Sequence, residues 1–170
     1  MNIKHQATLA IKKSFPGEHI FFSIADIPTE SKIPFGWQGF GIKDDLTEHA
    51  WYPSDWIIFS SRLPWLTSAL EKSLIGTAII LSEKKPCLIY VFSDNEDFYF
   101  YVGNPPLDYF QSHSIDHLEN LPDDLMDFYR KLHNGFTFHP SKSMGPLPLE
   151  NQPRLCTKNT GVGSAACKRV

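Results

Sequence analysis

The stretch "TAIILSEKKPCLIYVFSDNEDFYFYV", residues 77–102, decides the fold class. It holds three runs, 77–82, 87–92 and 97–102, rich in β-branched and aromatic residues, which fit a pleated surface. "EKKP" and "SDNE" separate them. Both gaps are of hairpin length, so the stretch predicts an antiparallel meander. "GNPP", residues 103–106, ends the third strand, because its prolines cannot continue a ladder.

Upstream, "GEHIFFSIADI" (17–27) fits a helix or a strand pair equally, and "PTESKIPFGWQGFGIKDD" (28–45) reads as turns and irregular connection. "WIIFSS" (56–61) reads as a short strand. Ser61 then caps a helix through "RLPWLTSALEKSLI", with Leu63, Leu66, Leu70 and Leu74 on one side and Gly76 at its end.

Downstream, "LPDDLMDFYRKLHNG" (121–135) carries every local signal of a helix. Asn120 is placed to cap it, and Pro122 suits a first turn that needs no N–H. Asp123 and Asp124 sit at the positive end of the helix dipole, Arg130 and Lys131 at the negative end, where His133 also falls. Leu125, Phe128, Tyr129 and Leu132 make one apolar face. Asn134-Gly135 can close the helix in the left-handed conformation. A short strand over 136–138 follows, then a turn-rich segment. The expectation is one α+β domain over 1–150, an antiparallel β-meander packed with helices, followed by a flexible tail over 151–170.

At 170 residues, 42% of them hydrophobic and 14% aromatic, the chain can build a core and is not compositionally disordered. It has no apolar run of membrane-spanning length and no signal-peptide pattern at its start, which points to the cytoplasm and away from a membrane. Cys87 lies in an apolar run. Cys156 and Cys167 have neither zinc nor redox spacing.

The charge is uneven. Net charge is -3, but residues 141–170 carry five basic side chains against Glu150 alone. Residues 91–130 hold nine acids, among them Asp94, Glu96, Asp97, Asp116, Glu119, Asp123, Asp124 and Asp127, with Arg130 the sole base. Such a block repels phosphates and argues against nucleic-acid binding. It would steer a basic protein partner. In "DFYFYV", alternation turns Phe98, Phe100 and Val102 to the core and Tyr99 and Tyr101 outward, where tyrosines beside acids suit a protein interface.

Catalytic patterns are weak. His113 and His117 have i, i+4 spacing, but Ser114 stands where the metalloprotease motif has its Glu, so no metal site is expected. Asp44-Asp45 and Asp123-Asp124 are adjacent pairs whose side chains diverge, unlike an acid/base couple. "TGVGS" (160–164) lacks the Lys-Ser/Thr of a phosphate-binding loop. No nucleophile motif and no cofactor motif is present.

The 121–135 stretch also resembles the characteristic helix of the SUKH superfamily, at Leu121, Pro122, Asp123, Leu125, Phe128, Tyr129, Asn134 and Gly135. In that family the helix usually comes early and strands follow; here three strands precede it. The resemblance implies an α+β fold without a catalytic site and a bacterial immunity function, in which a cognate toxin domain, often a nuclease, is bound and neutralised. The expected contact residues are then Asp94, Glu96, Asp97, Tyr99, Tyr101, Asp116, Glu119, Asp123, Asp124 and Asp127, facing a basic toxin. The alternatives are a small-molecule or metal-binding protein or enzyme using a pocket near "HSIDH" and "FHP", and a regulatory interaction module.

Overall fold

The computed structural model describes residues 2–82, 85–95, 97–110, 120–141 and 145–149. Five strands form one antiparallel sheet in sequence order: β1 (His19–Phe21), β2 (Leu74–Ser82), β3 (Lys85–Asp94), β4 (Asp97–Gly103) and β5 (Phe136–His139). The 77–102 meander is therefore present as expected, each strand a little longer than its apolar run. The α+β class holds. The expected tail over 151–170 lies outside the described residues.

The sheet is buried on both faces. One face presents Ala78, Ile80, Ile89, Val91 and Phe100 to α1 (Ile3–Ser14), whose Ala7 and Ile11 are fully buried. The other presents Ile79, Leu88, Tyr90 and Phe92 to a larger aromatic layer that includes Trp37, Trp56, Phe59 and Phe128. The long excursion between β1 and β2 supplies much of this layer, including α2 (Pro64–Lys72). Double coverage explains why β3 reads as a nearly unbroken apolar run.

That coverage corrects the expectation for the tyrosines. Alternation does divide β4 as predicted, but neither side opens fully to solvent. Tyr99 stacks on Phe92 at 5.2 Å between centroids, and Tyr101 stacks on Phe136 at 4.9 Å. Both are half-buried against the aromatic layer.

Four local expectations also change. "WIIFSS" lies in a 3-10 segment, Ser54–Phe59, where Trp56 and Phe59 point inward at the i, i+3 spacing of that helix. Its apolar run mimics a strand because Ile57 and Ile58 remain on the outside. The following helix starts at Pro64 with Leu63 as its cap residue, not Ser61, and Leu74 already belongs to β2. The 121–135 helix is short: α3 (Asp123–Asp127), capped at Pro122 rather than Asn120, continues as one π turn, Phe128–Leu132. The helix closes on an extended His133, while Gly135 has φ +105° beyond it. Sequence reasoning missed α1, although Asn2 accepts the His5 N–H at 2.8 Å and Lys12 and Lys13 sit in its last turn.

One glycine is fixed by close approach. The backbone of 41–43 runs against the start of β2, with Thr77 N–H donating to the Gly41 carbonyl at 2.9 Å and Lys43 N–H to that of Ile75 at 3.1 Å. A Cβ on Gly76 would lie 2.4 Å from the Gly41 oxygen and 2.5 Å from the Ile42 Cα. Gly76→Ala must therefore displace this strap, and should cost about 1–3 kcal/mol of stability. Urea unfolding monitored by tryptophan fluorescence checks this; an unchanged midpoint would contradict the packing.

Candidate functional site

Among the described residues, three fully buried side chains with polar groups form a relay. Trp56 Nε1–H donates to the Tyr90 hydroxyl at 2.9 Å. The Tyr90 hydroxyl lies 2.5 Å from His133 Nε2, and His133 Nδ1 lies 2.8 Å from the Asn104 carbonyl oxygen. A carbonyl only accepts, so Nδ1 carries the proton and Nε2 is bare. Tyr90 must then donate to Nε2 while accepting from Trp56. Each link fixes the next, and the direction of donation is unique.

Trp56, Tyr90 and His133 are all fully buried. The His133 imidazole stacks on Phe136 and lies close to Trp37, Trp56 and Phe128. A Cβ at Gly103 would come within 2.5 Å of the ring, so that position must stay bare. Burial pushes the His133 pKa down from 6.5 to about 4, partly countered by the hydrogen bond to Asn104. Burial likewise raises Tyr90 well above its usual value. The imidazole is thus neutral at pH 7 with both nitrogens engaged and no route to a substrate. This corrects the expectation that His133 is a last-turn residue answering the helix dipole: the chain leaves the helix at His133 and carries the ring into the core.

The residues after it form a clasp. Asn134 Oδ1 accepts from Leu149 N–H at 3.0 Å, Phe136 N–H donates to the Pro146 carbonyl, and Tyr129 OH donates to the Leu147 carbonyl at 2.7 Å. Gly135 meets Pro148 so closely that a Cβ would lie 2.8 Å from its ring. His-Asn-Gly therefore organises three contacts: the relay, the 145–149 segment, and the entry to β5.

The acidic block divides in two. Asp94 and Asp97 face each other across the β3–β4 hairpin and are exposed. Asp123, Asp124 and Asp127 lie on α3. Arg62 reaches across to them, 2.7 Å from Asp124 and 4.0 Å from Asp127, and Lys131 lies 3.9 Å from Asp127. Asp94, Asp97 and Asp123 have no ion pair among the described residues. Glu96, Asp116 and Glu119 lie outside the described residues, as do His113 and His117.

Sequence reasoning missed the exposed apolar residues near Arg62 in the chain. Arg62 reaches α3 from the turn between the 3-10 segment and α2, so that turn lies alongside the acids. On either side of it stand Ile57 and Trp65, each 69% exposed, and Ile58, 42% exposed. The run "WIIFSSRLPW" contains the signal, as it has more large apolar residues than a short segment can turn inward.

The remaining polar candidates have local roles. Asp44 pairs with Lys4 at 3.1 Å. Asp45 accepts from both the N–H and the hydroxyl of Thr47, which holds its carboxyl below the usual range. Among the described residues, no three His, Cys, Asp or Glu side chains gather as a metal would require, and no helix is long and apolar enough to cross a membrane. Comparison with known proteins finds no matching family model, no matching curated protein and no matching solved structure.

The relay makes two predictions. Tyr90→Phe strands the Trp56 N–H and the His133 Nε2 together and should cost about 2–4 kcal/mol in urea unfolding. In the wild type, the unfolded chain protonates its histidine near pH 6.5 while folded His133 resists until about 4. The stabilisation is complete above 6.5 and is lost as pH falls toward 4, by roughly 3 kcal/mol. His133→Gln should remove that part of the acid slope. If both proteins show the same slope, His133 is not held neutral.

Proposed function

We propose that this chain is an immunity protein: it binds a cognate, basic toxin domain, a nuclease in the favoured reading, and occludes its active site without chemistry of its own. The observation that carries the reading is the joint surface at α3. There, Arg62 pairs with Asp124 and Asp127, Asp123 is exposed, and Ile57, Ile58 and Trp65, close to Arg62 in the sequence, are exposed as well. An exposed tryptophan and an arginine are the residue types that anchor protein interfaces, and the carboxylates near them suit the steering of a basic partner. The resemblance of residues 121–135 to the SUKH helix supports the same reading. So does the enclosure of His133, which leaves the most perturbed histidine among the described residues unable to serve a substrate.

In this mechanism the carboxylates, including those of the β3–β4 hairpin, steer a basic partner toward the surface. Trp65 and the two isoleucines then provide the apolar contact that slows dissociation. The Arg62–Asp124 pair is exposed and contributes little to folding. Asp124 is therefore free to exchange its partner for a lysine or arginine of the toxin. Residence in the cytoplasm, where an incoming nuclease would act, belongs to the same proposal.

The test is co-purification of the tagged chain from its native host at low and high salt, followed by kinetics with the retained partner. The expected result is one basic protein whose nuclease activity is inhibited at 1:1 stoichiometry. Its association rate should fall with salt, as exposed charges are screened over about 10 Å at 0.1 M. Trp65→Ala should weaken binding about tenfold or more. Asp123→Asn with Asp124→Asn should mainly slow association. A partner that is acidic, or whose binding ignores both substitutions, would refute the reading.

A further inference from the structure

Away from α3, on the opposite face of the sheet, α1 ends before it has covered the strands. Beyond Phe15 lies a cavity of about 380 Å³, within the roughly 300–1,000 Å³ typical of small-molecule sites. Strand register dictates its floor. Ile80 pairs with Cys87 and Val102 with Thr137, so their side chains rise on the α1 face together. Phe15 and His139, stacked at 4.1 Å, form one wall, and Leu147 and Pro148 line the cavity as well.

The lining is apolar with a few polar groups, and its chemistry has a sign. Glu18, exposed, is the one Asp, Glu, Lys or Arg among the lining residues. Ser82 and Thr137 contribute hydroxyls whose lone pairs can accept from a donor. His139 Nε2–H is already given to the Ser14 carbonyl at 3.0 Å, which keeps its ring fixed against Phe15. The Cys87 thiol is close to Asn104 Oδ1, at 3.4 Å, and burial pushes it up to about 11, so it lines the floor as a neutral group. Among the described residues no lysine or arginine lines the cavity to receive an anion, although Lys85 lies near enough for its charge to act on the Cys87 thiol, as that of Glu18 does.

We propose that this cavity is a binding site for a small aromatic primary amine, its ring against Phe15 and the apolar floor and its ammonium at Glu18. A flat ring fits a wall built of stacked rings. The ammonium gains a carboxylate and hydroxyl acceptors. A protein segment is a poorer occupant, since the 145–149 clasp closes one side and the space suits a single small molecule. The site is independent of the α3 surface and of the immunity reading.

The experiment is a titration of the full-length, isotopically labelled protein with benzylamine, and separately with benzoate, followed by amide NMR. Benzylamine should give saturable shifts centred on Cys87, Asn104, Thr137 and His139, and benzoate should give none. Glu18→Gln, a rim change that leaves the floor intact, should weaken benzylamine at least fivefold. Val102→Trp, which fills the floor, should abolish the shifts. No saturable response, or an equal response to benzoate, would overturn the proposal. So would nuclear Overhauser contacts in the free protein between the floor and residues 150–170 or a second copy, because the chain itself would then occupy the cavity.

Discussion

The hydrogen bond from Tyr90 to His133 is the contact on which the rest of the structure depends. It joins the middle of the central strand to the end of the π turn, across the most aromatic part of the core. A tyrosine hydroxyl and an imidazole are costly to bury alone. Here each satisfies the other, with Trp56 and the Asn104 carbonyl completing the chain. Because donation can run in one direction only, the network specifies one arrangement of four elements. A purely apolar core of equal volume would leave their relative register freer.

From that constraint the outer architecture follows. Seating His133 in the core pulls the chain out of the helix there, and a widened π turn lets Phe128, Tyr129 and Leu132 all face inward. The helix that results is short, and its first turn holds the aspartates at the surface. Arg62 ties those aspartates to the excursion whose Trp56 is the first donor of the relay. The surface proposed to meet a toxin and the buried relay are thus two sides of one layer. Protein interfaces built on such a rigid backing lose little entropy on binding.

The meander was legible in the sequence because strand propensity, run length and turn spacing agreed over 77–102. A helix within 121–135 was legible for the same reason, though its shorter span, Asp123–Leu132, and its π turn were not, since apolar positions at 128, 129 and 132 fit either geometry. The 3-10 segment at 54–59 was misread because a short apolar run does not declare its period. The outward direction of Tyr99 and Tyr101 failed on a tertiary fact: a sheet covered on both faces has no open side for alternate residues. The relay could not be read locally, because strand register and a distant helix end bring Tyr90 to His133. Two clues were present: a tyrosine in the midst of aliphatic β3 needs a hydroxyl partner, and a histidine before Asn-Gly stands where the chain turns inward. The acids were visible as a block, but not their division between hairpin and helix, nor the exposure of Ile57, Ile58 and Trp65 near Arg62.

The most direct test of this account is the tautomeric state of His133, read from nitrogen–proton NMR of the imidazole between pH 8 and 5. The account predicts a neutral ring with the proton on Nδ1 and a bare Nε2, unchanged over that range, with the Tyr90 hydroxyl proton visible and protected from exchange. A ring carrying its proton on Nε2, or one that titrates near pH 6.5, would contradict it and leave the core without the contact that orders it.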